Sequence, residues 1–515
     1  MKIAKTAKHG SGSVMLTALL FAIALSIVVS AASTLVISGN RNVRRIALLK
    51  QAHYMAEMGI EEILSNPFAL RDTLLYDTLY GTYTYTIQSS VELESGKRGT
   101  YQTTMKRMKR TDDTVDTKQY VEIESKGEIK NQNGALLATK TIRCEFQIKS
   151  GSFYDILLKN AISTSQNLNS GKVYIYIDKD ENGNPVASSA DIYSDAEITN
   201  IAGTVPGSVI AQGRVIVNNN TTIAKDVIAK GNIVLNNNAQ VGEKVISAES
   251  YIDVNNNAVV SGDIVAYGAD DKGYSVYLTK STVQDIYTKL GSSQVETKNS
   301  SYKSIGTIPK LPEYPETYNV PRQSLPIIDD TIKAAWIAQA QSDGITFNGL
   351  NVNNNQTFTI DGNAYINGDL VLNNNSTLRV KEGSIVYVTG KILIENNASV
   401  SVVDSNGDQT IARSSLITAD SFDIRNNAIP NVLSLVALGS STSYLKNNSV
   451  TTGAILVPNG NLEISNNATI YGGIFAKSIP KIGNNVEVYF NPLNNLGLPP
   501  TVTSSQALDL LSWTE

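Results

Sequence analysis

The most regular hydrophobic pattern is an apolar run near the N-terminus that continues into an amphipathic segment. Residues 14–37 contain no charged side chain over 24 positions. A helix of that length spans about 36 Å, enough to cross a hydrocarbon core of about 30 Å. Apolar residues then recur every three to four positions from Ile46 to Ile63, between basic side chains. The pattern predicts one long helix over 13–64, apolar in its first half and amphipathic in its second.

A cleaved export signal is the alternative interpretation of the same segment. Lys2, Lys5 and Lys8 would form its charged region, and Ser30-Ala31 offers small residues for cleavage. The apolar run is longer than the usual signal-peptide run of about 7–15 residues, and the helical pattern continues beyond it. These two features favour a retained, single-pass membrane helix. The flanking charges leave its orientation open, because three lysines precede the apolar run and three arginines closely follow it.

Residues 65–150 change to a period of two, which is typical of half-buried strands. Lys126-Gly127 and Asn133-Gly134 predict turns between them. We therefore expect a small antiparallel sheet packed on the second half of the helix. The alternating segments are Tyr83–Ile87, Tyr120–Glu124 and Thr139–Ile148.

Asparagine repeats dominate the C-terminal two-thirds of the chain. Triplets begin at Asn218, Asn236 and Asn255, which are 18 and 19 residues apart, and each tends to follow a short apolar strand. A second set, mostly 18 to 23 residues apart with one gap of 30, begins at Asn353, Asn373, Asn396, Asn426, Asn447, Asn466 and Asn484. Such a period predicts a β-solenoid, also called a β-helix. Asparagine suits its corners because it tolerates left-handed turns and can stack in amide ladders.

The repeat pattern places the solenoid at 151–270 and 346–495, with an insertion at 271–345 and a C-terminal tail at 496–515. Within the insertion, the proline-rich segment Ile308–Pro315 must be extended. Residues 329–340 predict a short helix that is N-capped by Asp329 and ends near Gly344. We expect this insertion to pack on the solenoid flank or to cap one end. The fold class is therefore mainly β.

The composition limits which kinds of binding and catalytic site the chain can form. The formal net charge of −4 gives no strong field for nucleic acid. Only two histidines occur, His9 and His53, so the region after residue 64 has no histidine for acid–base catalysis or metal binding. The single cysteine, Cys144, excludes an internal disulfide, and its shared strand face with Ile142 and Phe146 predicts a buried thiol.

The segment from Gly12 to Ile63 resembles the N-terminal region of type IV pilin-like proteins of the PilX-type minor-pilin group. The resemblance rests on a glycine before a small residue and an apolar stretch, and on a helix signature that includes Ala56, Glu57 and Gly59. It implies that prepilin peptidase removes a leader, 1–12, after Gly12 and leaves Ser13 as the N-terminus. It also implies the membrane and other pilin-like subunits as partners. The block at 453–476 resembles uncharacterised β-solenoid domains found behind such N-termini.

One position departs from the major pilins, which carry a glutamate five residues after the cut. Thr17 occupies that position here. Because the carboxylate would neutralise a neighbouring subunit's terminal amine, its loss favours a minor, tip or initiating subunit.

The sequence offers few candidates for metal or catalytic sites. Asp178, Asp180 and Asn182 place oxygen ligands at alternate positions before a glycine, as at the start of a Ca²⁺ loop. The glutamate that would complete such a loop is absent, so a polar hairpin turn is the favoured interpretation and weak Ca²⁺ binding the alternative. No other cofactor is expected. Carboxylates in the solenoid are scattered: Asp253 and Asp263 in one part, Asp361 and Asp369 in another.

The sequence thus predicts a non-enzymatic, pilin-like component of a type IV pilus or related secretion system, with the solenoid displayed at the cell surface for assembly or adhesion. A surface or carbohydrate ligand would bind the solenoid. The alternative is a secreted or anchored β-helix protein that binds or cleaves polysaccharide.

Overall fold

A computed structural model describes most of the 515-residue chain. The described residues are 11–65, 84–93, 96–108, 120–148, 159–179, 185, 187, 189–308, 314–323, 325, 328–410, 414–491 and 508–514. They form a mainly β protein with one long N-terminal helix, a small antiparallel sheet and a β-solenoid, which confirms the predicted fold class.

Helix α1 spans Ser11–Ser65 in one piece of 55 residues. It contains the apolar run and the amphipathic segment without a break, as the hydrophobic pattern predicts. Its C-terminal turns pack on a sheet, while its N-terminal part is uncovered by the described chain.

The sheet has five antiparallel strands in the order β1-β2-β3-β4-β41. Its fifth strand comes from residues that the sequence pattern assigns to a C-terminal tail; they pair instead with β4, so that Trp513 lies beside Cys144. The predicted turn at Lys126-Gly127 is also wrong, since both residues lie inside β3. The strands are β1 (Thr84–Leu93), β2 (Lys97–Met108), β3 (Tyr120–Lys130), β4 (Leu136–Ile148) and β41 (Leu508–Thr514).

The solenoid consists of short parallel strands, β5 to β40, stacked rung on rung. Its N-terminal half-stack comprises β5 (Asn160–Thr164), β6 (Leu168–Asn169), β7 (Lys172–Ile177), β8 (Asp191–Ser194), β9 (Ile198–Val205), β10 (Val209–Ala211), β11 (Val215–Val217), β12 (Thr222–Ile223), β13 (Val227–Ala229), β14 (Ile233–Leu235), β15 (Gln240–Val241), β16 (Val245–Ser247), β17 (Ile252–Val254), β18 (Val259–Val260), β19 (Ile264–Ala266), β20 (Val276–Thr279), β21 (Asp285–Thr288), β22 (Val295–Lys298) and β23 (Ser304–Thr307).

Its C-terminal half-stack comprises β24 (Ile345–Phe347), β25 (Leu350–Val352), β26 (Thr357–Ile360), β27 (Ala364–Ile366), β28 (Leu370–Leu372), β29 (Thr377–Lys381), β30 (Ile385–Val388), β31 (Ile392–Ile394), β32 (Ser399–Val403), β33 (Ser415–Thr418), β34 (Phe422–Ile424), β35 (Ile429–Ala437), β36 (Ser443–Leu445), β37 (Val450–Ile464), β38 (Thr469–Tyr471), β39 (Ile474–Ile482) and β40 (Val486–Phe490). Inward-facing Ile, Val and Leu side chains from both half-stacks form one continuous buried core.

Left-handed asparagines turn the chain at one corner of the solenoid. Asn220, Asn238 and Asn257, the last residues of the first three triplets, have φ of 56°, 59° and 58°. Their side chains form the predicted ladder: Asn238 Nδ2 donates to Asn220 Oδ1 at 2.9 Å, and Asn397 Nδ2 donates to Asn375 Oδ1 at 3.2 Å. The backbone adds a second ladder, because the N–H of Asn220 donates to the carbonyl of Asn237 at 3.0 Å.

The rungs continue further than the asparagine triplets indicate. The sequence pattern places an insertion at 271–345, but β20 to β23 extend the parallel stack to Thr307. Lys280, with φ of 45°, and Asn299, with φ of 53°, take the left-handed positions there. A rung without an asparagine triplet is invisible to the repeat pattern even though its backbone follows the same path.

Chain order and spatial order differ in the solenoid. The last rung pairs with the first: Ile474 lies beside Ile162, and Val486 beside Val173. The first rung therefore lies in the middle of the stack, and among the described strands β22–β23 and β24–β26 form its two unpaired ends. Both connections to the antiparallel sheet, after β4 and before β41, leave from this middle region. The solenoid is thus inserted into the sheet between its fourth and fifth strands.

A returning segment, residues 314–323, lies along the N-terminal half-stack and is called the strap below. Tyr314 is buried, and its hydroxyl donates to Asp263 Oδ2 at 2.6 Å. Tyr318 stacks on Tyr267 with ring centroids 5.8 Å apart. At the far end the backbone N–H of Gln323 donates to the hydroxyl of Tyr193 at 3.1 Å. Part of the proline-rich segment, 309–313, lies outside the described residues.

Helix α2 spans Asp330–Gln341 and follows the strap. Asp329 caps it by accepting the backbone N–H of Ile332 at 2.8 Å, which confirms the predicted cap. The helix packs on the flank of β27 and β30 rather than across an end, and Trp336 is fully buried. The buried side chains around Trp336 and those between α1 and the sheet belong to one continuous cluster.

Candidate functional site: the helix–sheet junction

The N-terminal part of α1 presents apolar side chains that the described chain leaves uncovered. Among the described residues, α1 is the one helix long and apolar enough to cross a membrane. Phe21 and Leu35 are 71% and 74% exposed. The other exposed large apolar residues of this part are Leu19, Leu20, Ile23, Leu25, Ile27, Val28, Val29, Val36, Ile37, Val43 and Ile46. Such a surface requires lipid or other helices as its surroundings.

The C-terminal turns of α1 reverse this pattern and bury one face against β2, β3 and β4. The buried positions follow helical spacing: Ala52, Met55, Ala56, Gly59, Ile60 and Ile63. Below them lie the inward side chains of the sheet, among them Met105, Ile123 and Cys144. The helix therefore changes from an uncovered apolar rod to a packed amphipathic element within the same 55 residues.

Gly59 allows the helix to approach the sheet. A Cβ atom at this position would lie 2.0 Å from Thr103 Oγ1 and 2.7 Å from Ser125 Oγ. These two hydroxyls are buried and hydrogen-bonded to each other at 2.7 Å, so neither can move away without losing its partner. The glycine of the helix signature thus has a packing role in this fold.

Two strand glycines complete the close contact from the side of the sheet. A Cβ on Gly127 would lie 2.0 Å from the carbonyl oxygen of Ala52, and a Cβ on Gly99 would lie 2.7 Å from Met55 Sδ. The sequence pattern does not mark either residue as a contact position. Gly127 looked like a turn signal, but a glycine inside a strand also marks a close approach of another backbone.

Polar contacts fix the flanks of α1. Tyr101 donates a hydrogen bond to Glu62 on the side of β2. Burial, and then this contact with a carboxylate, raises the pKa of the Tyr101 hydroxyl, so that it keeps its donor proton. On another flank His53 Nε2 lies 3.3 Å from Glu57 Oε1, four residues later in the helix.

The predicted signature residues separate into contact and flank positions. Ala56 and Gly59 face the sheet, whereas Glu57 lies on the flank beside His53. Gly12, Ser13 and Thr17 lie in the first turns of α1, before the first described side chain at Leu19.

Cys144 lies at the centre of the helix–sheet core. It is fully buried, with Ile142 and Phe146 on the same face, as the alternation of the strand predicts. Burial raises the pKa of its thiol to about 12, so the thiol is protonated near neutral pH.

The candidate Ca²⁺ residues are described only in part, since Asp180 and Asn182 lie outside the described residues. Asp178 Oδ1 accepts the backbone N–H of Lys179 at 2.8 Å, and its Oδ2 accepts Nδ2 of Asn491 at 3.2 Å. Within the described part of the chain, no group of three or more His, Cys, Asp or Glu residues could hold a metal ion.

The scattered solenoid carboxylates have separate partners. Asp253 is half-buried, and burial raises the pKa of its carboxyl despite a hydrogen bond from Asn255 at 3.3 Å. Asp361 forms an ion pair with Lys381 at 3.2 Å, and Asp369 accepts the backbone N–H of Lys391 at 2.7 Å. Asp263 accepts the hydroxyl of Tyr314 in the strap. The four carboxylates therefore lie on different rungs, and each has a different partner.

Comparison with known proteins gives a partial match. The family described as "Domain of unknown function (DUF7305)" matches residues 316–494, which cover most of the strap, α2 and the C-terminal half-stack. No curated protein matches the chain. Among solved structures, the competence-associated pilin ComZ from Thermus thermophilus aligns with a TM-score of 0.21 and 12% identity, over 91% of this chain and 97% of that chain. A TM-score of this size does not establish a shared fold.

Proposed function

We propose that this protein is a non-enzymatic, membrane-anchored, pilin-like subunit that displays its solenoid at the cell surface. The observation that carries the proposal is the division of α1 into an uncovered apolar part and a part packed on a small antiparallel sheet. An apolar surface of this length suits a bilayer before the subunit is assembled. After assembly it suits contact with the apolar helices of neighbouring subunits.

In this proposal prepilin peptidase cleaves after Gly12 and leaves Ser13 at the start of the helix. The resemblance of the N-terminal region to PilX-type minor pilins supports this processing. Thr17 has no charge with which to neutralise the terminal amine of a neighbour, which supports a minor, tip or initiating role rather than that of the major subunit. The membrane, the peptidase and other pilin-like subunits are therefore the proposed partners.

The solenoid supplies the displayed surface. A stack of parallel rungs is stiff because each rung contacts its neighbours through continuous strand pairing and a continuous core. Since both connections to the sheet leave from its middle, the solenoid presents two free ends as well as its flanks. An assembly partner or a surface ligand, including a carbohydrate, would bind there.

The deciding experiment determines the N-terminus of the mature protein from host membranes and from sheared surface fractions. The proposal expects a start at Ser13 with the apolar run retained. Gly12→Leu should leave the leader attached, whereas Gly10→Leu is the matched control and should be cleaved normally. A mature start near Ser33 would mean conventional signal cleavage and would overturn the pilin-like assignment.

A further inference from the structure

The end of the solenoid formed by β24, β25 and β26 is an open strand edge. Each of these strands pairs along one side, with β27, β28 and β29 respectively, and the described residues place no strand on the other side. Helix α2, which immediately precedes β24, packs on the flank at β27 and β30 and does not cover this end. The backbone groups of three strands therefore face outward.

The three strands of this end also lack the charges that normally protect strand edges. Of the two carboxylates that flank them, Asp343 accepts the backbone N–H of Asn363 at 2.7 Å and Asp361 pairs with Lys381 at 3.2 Å, so both are bound to the rung behind. Residues 345–360 contain no Asp, Glu, Lys, Arg or Pro. Phe347 and Phe358 close the core there in an edge-to-face contact at 5.7 Å, and both are half-buried. Outward positions carry Thr and Asn, including the exposed Asn351, Thr357 and Thr359. Natural solenoids and sheets generally place charged or polar caps at such edges to prevent association.

The opposite end differs in charge. Its last strands, β22 and β23, lie among Lys289, Glu296, Lys298 and Lys303. If one copy stacked its uncharged end on the charged end of another, several of these side chains would lose water without matched partners, which is costly. Two uncharged ends related by a two-fold axis avoid that cost, and their strands would pair antiparallel.

The position of the uncharged end leaves it accessible to another molecule. Six steps of parallel pairing separate β24 from β39 at the middle of the stack, through β27, β30, β33, β35 and β37. At about 4.8 Å per step, the end lies about 29 Å from the rung that connects to the sheet. The helix and the antiparallel sheet of the same chain are attached at that connecting rung, so they leave the end itself accessible.

We propose that the rung at 345–360 is a docking surface for the same rung of a second copy, giving a closed, two-fold, end-to-end pair of solenoids. The rung offers 16 residues. Stable interfaces usually involve about 20–30 residues on each side, so the pairing is weak, with a dissociation constant on the order of micromolar. The pair joins two separately anchored molecules through strand edges and not through α1.

The test uses the full chain in nanodiscs that each contain one copy, so that contacts between α1 helices in one bilayer cannot contribute. Analytical ultracentrifugation over a concentration series that brackets the expected constant then measures the pairing of discs. Thr359→Lys places a charge on the outward face of β26, and Thr297→Lys places one on β22 at the opposite end. Both residues are exposed, so the second variant is the matched control.

We expect wild-type discs to pair, Thr359→Lys to weaken the pairing by at least about tenfold, and Thr297→Lys to leave it unchanged, because like charges would meet only across the two-fold end. Wild-type discs that stay single at about 100 μM, far above the expected micromolar constant, would overturn the proposal. Equal weakening by both variants would do the same.

A cross-linking measurement covers the case in which Thr359→Lys disturbs the end rung itself. Thr359→Cys adds a thiol that a short bis-maleimide can reach, whereas the native Cys144 is buried. Cross-linked dimers from Thr359→Cys but not from Thr297→Cys support the two-fold end contact. Equal yields from the two variants contradict it.

Discussion

The backbone N–H of Gln166 donates to the carbonyl oxygen of Lys477 at 2.7 Å, which joins the first rung of the solenoid to the last. A second bond in the opposite direction, from Ile479 N to Asn167 O at 3.1 Å, adds to this contact. The start of the solenoid in the sequence is therefore an interior rung. Its real ends come from the middle of the chain.

Hydrogen exchange followed by mass spectrometry should show this order of rungs directly. We expect amides at 160–177 to be protected as strongly as those at 209–241, because both groups have rungs on each side. Amides of β23 and β24 should exchange faster, since their strands have one neighbour. Rapid exchange at 160–177 would contradict the placement of the first rung beside the last one.

Gly59→Ala should destabilise the helix–sheet part by about 1–3 kcal/mol, because the added methyl group overlaps Thr103 and Ser125. Gly39→Ala is the matched control in the same helix, where an added Cβ meets nothing within 4 Å. The control should be neutral or stabilising by roughly 0.5–1 kcal/mol. Thermal unfolding in detergent compares the two, and equal midpoints would exclude the close contact at Gly59.

Asn238 allows the backbone strain and the amide ladder to be separated. Asn238→Ala should cost about 1–2 kcal/mol for the left-handed conformation, in addition to the lost ladder bond. Asn238→Gly relieves the strain and should lose only about 0.5–1.5 kcal/mol for the bond. Denaturant unfolding measures both variants. If alanine were tolerated as well as glycine, the corner would not depend on a left-handed residue.

Trp336 should be the main anchor of α2 on the solenoid. It is fully buried, so Trp336→Ala is expected to cost about 3–5 kcal/mol. Its indole N–H has no hydrogen-bond partner in the described structure, so Trp336→Phe loses packing but no hydrogen bond and should cost much less. Denaturant unfolding followed by circular dichroism compares the two variants with the wild type. The chain has two tryptophans, so Trp513→Phe leaves Trp336 as the only tryptophan, and its emission reports its burial. A solvent-exposed emission maximum from that variant would contradict the burial.

Cys144 should resist thiol reagents at pH 8 to 9 until the protein unfolds. Burial raises the thiol pKa from 9.0 to about 12, so the folded state keeps the proton that the unfolded state releases in this range. The contribution of this group to stability is complete below pH 9 and is lost as the pH rises toward 12. Labelling with and without denaturant gives an unambiguous result because the chain has one cysteine. Fast labelling of the folded protein would show that the core around Cys144 opens readily.

Sequence reasoning was most successful where a single residue type has one physical reason to recur. The asparagine corners, the N-cap at Asp329 and the buried face of Cys144 were all predicted from local chemistry. It failed at Gly127, where a turn signal marked a contact with α1, and at rungs where Lys280 or a lone Asn299 replaced the triplet. The two errors have different causes. A glycine serves a turn in one setting and a close approach of another backbone in the next, whereas a rung without an asparagine triplet gives the repeat pattern nothing to detect.

The sequence by itself determined the long apolar helix, the period of the solenoid and the side chains that fill both cores, because these depend on hydrophobic spacing along the chain. Only the tertiary structure decided that the first and last rungs are neighbours, that β41 closes the sheet, and that the end at 345–360 is open and uncharged. Strand pairing between distant segments depends on backbone edges that look alike in every rung. The spacing of residues along the chain therefore does not specify which edges meet.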